Sequence, residues 1–372
     1  MVDPTQASPA KPDDSDGKRL GKKTVFATLS SVIGAILIVL ALGVGVYALL
    51  RMDSRGDQTS SAQRFKLDLA SQVDVPSDML AFTEQRRIDL ATRVPTAIAA
   101  TADGTVFVAG DSSVEIVRAE GTRTTVPLEI QPTCLAVHQD VEQGDLQILL
   151  GAGRGVMVIS QSGEVLQRWP EAHSKSLLTG IAVASDRVFV ADAGQRAVLM
   201  YSRDGQLLGT IGKADPSRQM PGFVIPSPYF DLLVDREGLL HVVNPGMRRV
   251  EAYNQRGELQ SYWGQAGSSL PSFFGCCNPA HVSLLPDGRF VTSEKGIPRI
   301  KIYSEAGELQ QVVAAPRQLG VPASALGDAR GNQKERVFDV AVDGRGNVLV
   351  LDAQNRQVIV FQPIARKEES QP

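Results

Sequence analysis

Six segments of this chain share one plan, and a repeat of this kind restricts the fold more than any other feature of the sequence. They begin at "PTAIAATADGTVFVAG" (95–110), "PTCLAVHQDVEQGDLQILLG" (132–151) and "TGIAVASDRVFVAD" (179–192). They continue at "YFDLLVDREGLLHVVN" (229–244), "AHVSLLPDGRFVTSE" (280–294) and "VFDVAVDGRGNVLVLD" (337–352). The shared pattern is an apolar strand, a turn that usually carries Gly, a second strand, a loop, a third strand, another Gly turn and a fourth strand. The Gly of the second turn falls at positions 121, 163, 205, 257 and 307. Four short strands per unit, at a period of about 40–50 residues, predict an all-β, six-bladed β-propeller. One such sheet cannot bury both of its faces alone, so neighbouring sheets stack around an axis. Strands are expected because apolar residues alternate and are rich in Val, Ile, Leu and Tyr. The sixth unit stops at "VIVFQPI" (358–364), after its third strand. The stretch "RRIDLA" (86–91) supplies the missing fourth strand and closes the ring, so the propeller is expected over 86–364.

The flanks are of another kind. Residues 1–23 are polar and almost free of large apolar side chains, which predicts a disordered tail. Residues 365–372 predict a second disordered tail, and 51–85 a linker. Between Val25 and Leu50 the chain runs 26 residues without a charge, long enough for a tilted helix across a hydrocarbon core of about 30 Å. A signal peptide has a shorter apolar region of roughly 7–15 residues, so an uncleaved single-span anchor over 24–50 is expected. Lys18, Arg19, Lys22 and Lys23 precede the run, which puts the N-terminus in the cytoplasm and the propeller outside the cytoplasmic membrane, in the periplasm or beyond. A formal net charge of -3 argues against nucleic acid as a partner.

The segment "VFVADAGQRAVLMYSRDGQLLGTIG" (188–212) resembles an NHL-type repeat, whose family pattern runs through a strand, an Asp-x-x-Asn/Gln-x-Arg turn and a strand ending in Asp-Gly; the turn here is Asp192-Ala193-Gly194-Gln195-Arg196. The likeness covers about residues 93–364, sharply in blades 3, 4 and 6, while blade 5 replaces the turn with "SEKGIPR". More narrowly, "SPYFDL", "VNPG", "GCCNP" and "TSEKGIPRIKIYS" resemble a group of bacterial membrane-anchored envelope NHL-type proteins. Such propellers commonly present loops to protein or small-ligand partners, which implies a binding module.

Three connectors from an outer strand to the next inner strand are enlarged: 213–230, 265–281 and 317–338. All emerge on one face of a propeller, and loops on a rigid scaffold are where function concentrates. That face is therefore expected to meet an envelope protein or small ligand, through Tyr229, Phe273, Phe274, Cys276, Cys277, Asn278, Glu294, Lys295 and Arg299. A column of equivalent positions starts the inner strands: Ala97, Cys134, Gly180, Asp231, His281 and Asp339. Asp231, His281 and Asp339 come from consecutive blades, and three such groups can hold one divalent metal ion. Gluconolactonase-like hydrolases, six-bladed enzymes of similar architecture, hold a metal near the channel. The resemblance therefore implies a metal-dependent extracytoplasmic hydrolase or lyase as the alternative function. The structural alternative is that these side chains cap strand starts and bind nearby backbone. A second column, Asp192, Asn244, Glu294 and Asp352, reads as turn residues.

Cys276 and Cys277 are adjacent, and only Cys134 is left elsewhere, too few for a disulfide framework. Three states are open to the pair: a strained vicinal disulfide, two free thiols, or metal ligation with His281. The first makes a redox-accessory role a further alternative. No Gly-x-Ser-x-Gly elbow, phosphate-binding loop or Cys-x-x-Cys occurs in the chain.

Overall fold

A computed structural model describes residues 36–44, 47, 74–139, 144–214, 222–322, 326 and 336–364. The chain divides into two units, Met1–Asp68 and Leu69–Pro372. In the first, residues 36–44 and 47 are helical. Among the described residues no helix is long and apolar enough to cross a membrane. The rest of the expected anchor, both expected tails and most of the linker lie outside the described residues.

The second unit contains six four-stranded sheets, one per repeat, each built from antiparallel neighbours. Five are made of four consecutive strands, and the sixth borrows its outer strand from the N-terminal end. That strand, Phe82–Asp89, pairs antiparallel with Gln357–Pro363, placing Phe82 opposite Pro363 and Ile88 opposite Val358. It begins four residues before the expected Arg86, so the linker ends earlier than residue 85. Phe82 accounts for the difference: its ring joins Val313, Leu319 and Phe361 in the core, which draws the backbone into the sheet.

The core is divided among the junctions between blades. One cluster joins Phe189 and Val198 of blade 3 to Leu232 and Leu240 of blade 4. Another joins Val106 and Val108 of blade 1 to Leu349 and Val358 of blade 6. Burial on both faces explains why second strands such as Leu240–Asn244 and Val348–Asp352 are buried at every position. Outer strands such as Leu259–Trp263 are exposed along most of their length.

Side chains at the channel link adjacent inner strands, whose unpaired edge groups need partners. Thr96 donates to the carbonyl of Pro132 at 2.9 Å, and Thr179 to that of Phe230 at 2.6 Å. Asp231 accepts from the N–H of Val282 at 3.1 Å, and Asp339 from that of Ile98 at 3.1 Å. The second column pins the incoming connectors. Asp192 accepts from the N–H of Leu177 at 2.9 Å, Asn244 from Val224 at 3.0 Å and Glu294 from Phe274 at 3.4 Å.

Candidate functional site

All six positions of the inner-strand column, Ala97, Cys134, Gly180, Asp231, His281 and Asp339, line a central cavity of ≈ 380 Å³. On one side of it the side chains are small or inert. Gly180 has no side chain, and burial pushes the Cys134 thiol up to about 12. On the other side Asp231, His281 and Asp339 converge, each half-buried, with one ligand atom from each lying within 4.8 Å of the others. His281 Nδ1 is 3.4 Å from Asp231 Oδ2 and 3.2 Å from Asp339 Oδ1.

The backbone positions both carboxylates. Asp231 Oδ1 accepts from its neighbour Leu232 N–H at 2.8 Å while Oδ2 reaches across to Val282. Asp339 repeats this two blades on, with Val340 at 2.7 Å and Ile98 across the junction. Each oxygen therefore spends one lone pair on an amide and keeps another for a cation. The missing Cβ of Gly180 makes room for Asp231, since a methyl there would come within 2.8 Å of Oδ1.

Two carboxylates this close need positive charge between them. Burial pulls the His281 imidazole down, but the negative charges of Asp339 and Asp231 outweigh it and raise the ring to about 9. Burial pushes Asp339 upward, against the pull of the His281 charge. A protonated His281 leaves the group one negative charge in excess. A divalent ion bound to neutral His281 would leave none. Tetrahedral ligands at about 2.0–2.2 Å from a metal stand about 3.4 Å apart, close to the Nδ1–oxygen separations here.

One residue expected at a contact face, Tyr229, adjoins the triad. Tyr229 meets the His281 ring edge-on at 6.0 Å, and the Lys295 ammonium lies 5.2 Å from the Tyr229 ring. Phe274 is partly buried and Cys276 exposed, while Cys277 is buried. The two thiols are unbridged, with their sulfurs 3.1 Å apart. Cys134 is likewise free, and it is buried.

Five other expected contact residues are inside the protein: Phe273, Asn278, Glu294 and Arg299 are each no more than 2 % exposed, and Lys295 is 8 % exposed. They build the connector and leave its presentation to others. Phe273 packs against Tyr303 and Trp263 at 5.5 and 6.0 Å. Asn278 accepts from the N–H of Lys295 at 2.8 Å and donates to its carbonyl at 3.0 Å. Through these bonds "GCCNP" and "SEKGIPR" form one structural unit. Glu294 pairs with Arg299 at 2.9 Å and with Lys301 at 3.2 Å, all three shut away from water. Desolvation lowers Lys301 to about 8 despite the Glu294 charge.

Lys301 was missed by the sequence reading, although a signal exists. Glu251, at the same place in blade 4, is also a buried charge in the third strand, seven residues after Asn244 as Lys301 is after Glu294. Asn244 Nδ2 donates to Glu251 at 2.8 Å, so blade 5 repeats the blade 4 contact with the acid and its partner exchanged.

The fold is that of a six-bladed β-propeller, and solved structures of a lyase and of a WD40 domain are similar to it. One is streptogramin B lyase, at 12% identity and a TM-score of 0.53, covering 78% of this chain and 100% of that one. A second is catalytically inactive virginiamycin B lyase from Staphylococcus aureus with quinupristin, at 12% identity and a TM-score of 0.51, covering 76% and 100%. A third is the WD40 domain of Neurospora crassa Pan2, at 11% identity and a TM-score of 0.50, covering 79% and 99%. At these identities the likeness is one of fold alone. No protein-family model matches the chain, and no curated protein does.

Proposed function

We propose that this chain is a membrane-tethered extracytoplasmic binding module of NHL type, whose ligand site is the channel mouth between blades 4 and 6. A divalent cation held by Asp231, His281 and Asp339 anchors that site. The observation that carries the proposal is the convergence of those three side chains within 4.8 Å, directly after the three enlarged connectors. A cation there replaces the proton of His281 and offers its open positions to an oxygen-bearing ligand. Tyr229, edge-on to His281, supplies an aromatic face beside the site, and the Lys295 ammonium lies 5.2 Å from the Tyr229 ring. The tether rests on the uncharged run from Val25 to Leu50 and the basic residues before it.

The ligand-atom spacing also favours a second reading, metal-dependent hydrolysis or elimination. Here the ion would activate a water or polarise the substrate. The chain supplies no separate nucleophile motif, so this chemistry would depend on the ion.

Metal content of the purified full chain, by inductively coupled plasma mass spectrometry, tests the proposal. One divalent ion per chain is expected, lost in both His281→Ala and Asp231→Asn. Retention of metal in both variants would reject the site.

A further inference from the structure

The two cysteines of "GCCNP" lie outside the triad and are not needed for it. The segment that carries them is clamped at both ends. Asn278 Nδ2 donates to the carbonyl of Phe274, before the pair, and to that of Lys295 at 3.0 Å, while Asn278 Oδ1 accepts from the Lys295 N–H at 2.8 Å. A five-residue loop is thus fastened to the 294–299 turn, and its two thiols are held with sulfurs 3.1 Å apart. Their surroundings differ. Cys276 is exposed, whereas Cys277 is 5 % exposed. Burial pushes the Cys277 thiol upward, as does its contact with Cys276, and the Lys295 ammonium opposes them. An exposed thiol such as Cys276 contributes little to packing, and a surface position is where its chemistry is available.

We infer that Cys276 and Cys277 are a thiol–disulfide exchange pair that accepts oxidising equivalents from a small-molecule or protein disulfide. Cys276, the accessible thiol, releases its proton to solvent and attacks one sulfur of the disulfide R–S–S–R. A Cys276–S–S–R bond forms and the first R–S⁻ leaves. Cys277 then loses its proton and attacks the Cys276 sulfur, expelling the second R–S⁻. Two cysteine thiols become one Cys276–Cys277 disulfide, the incoming disulfide becomes two thiols, and two electrons pass between them. The 3.1 Å separation is within the about 3–3.5 Å range of a reacting pair. Closing to a bond of about 2.05 Å takes a movement of about 1 Å. Burial assigns the order: an incoming disulfide reaches Cys276 first, and Cys277 resolves.

The test uses the reduced full chain, oxidised glutathione as the disulfide, acid quenching and intact mass with peptide mapping. The parent is expected to lose two hydrogens between Cys276 and Cys277 without keeping an adduct. Cys277→Ser should accumulate one glutathione on Cys276, and Cys276→Ser should show neither change. The proposal is overturned if the parent stays a dithiol or keeps a stable mixed disulfide. It is equally overturned if Cys277→Ser, with a circular dichroism spectrum matching the parent, fails to trap glutathione. Neither cysteine belongs to the triad, so metal content in the same samples separates a failure here from a failure of the metal site.

Discussion

Asp231 binds the backbone N–H of Val282 at 3.1 Å across the junction of blades 4 and 5, and so its carboxylate is a link in the ring before it is a ligand. The same oxygen faces His281 at 3.4 Å. Structure and chemistry are therefore separable by substitution. Asp231→Asn keeps an acceptor for one of the two amides and removes the charge, whereas Asp231→Ala orphans the N–H groups of both Leu232 and Val282. Each buried orphan costs about 1–3 kcal/mol, so urea unfolding should place Asp231→Ala several kcal/mol below the parent. Asp231→Asn should lie closer to the parent while losing metal.

Gly180→Ala perturbs the same carboxylate from the opposite side. Its Cβ would stand 2.8 Å from Asp231 Oδ1 and 3.4 Å from the Asp231 Cα, so the carboxylate must move. Metal affinity, measured by titration calorimetry, should fall by about tenfold or more, equivalent to about 1.4 kcal/mol. The ring itself should persist, judged by an unchanged circular dichroism spectrum. Unchanged affinity would show that Asp231 is not a ligand.

In the metal-free protein His281 titrates far above its ordinary value. Its folded value is about 9 against 6.5, so the folded chain binds more protons than the unfolded one between those limits. The stabilisation from its charge is complete below about 6.5 and fades as pH rises through about 9. A histidine ring resonance titrating near 9, absent in His281→Gln and suppressed by added divalent metal, is the expected result. Titration near 6.5 would mean that the two carboxylates do not hold the imidazolium.

The buried blade 5 triad should respond unequally to its two kinds of substitution. Glu294→Gln leaves Arg299 and Lys301 inside with no anion and should cost roughly 3–5 kcal/mol. Lys301→Met retains the Glu294–Arg299 pair and removes a desolvated ammonium, but it takes a donor from the carbonyls of Leu270 and Ser272 at 2.9 and 3.0 Å, so it should cost less than Glu294→Gln while staying below the parent. Because Lys301 is lowered to about 8 from 10.5, the unfolded chain binds more protons across that window. Parent stability relative to Lys301→Met should therefore rise with pH between those values. A flat difference would contradict the burial of a charged Lys301.

Much of this was readable before any coordinates, for physical reasons. A sheet buried on both faces demands apolar second strands at a fixed period, and that period marks the blades. Counting strands showed that the ring lacked one, and an outer strand ahead of the first repeat pairs with Gln357–Pro363. The column from Ala97 to Asp339 was legible because repeats place equivalent residues at equivalent points around an axis. Burial of Glu294 and Arg299 was not, since charged residues in an unusual turn look like a surface feature. Their partner Lys301 sits between Ile300 and Ile302, in a strand buried at every position, and only the match with Glu251 points to its burial. The start of the closing strand was misplaced because the alternation in "RRIDLA" does not include Phe82.

Anomalous diffraction from crystals of the metal-loaded protein, recorded on either side of the metal's absorption edge, tests the central claim most directly. A single peak bounded by Asp231 Oδ2, His281 Nδ1 and Asp339 Oδ1 is the predicted result. A channel with no peak there, or a peak at some other set of residues, would contradict it.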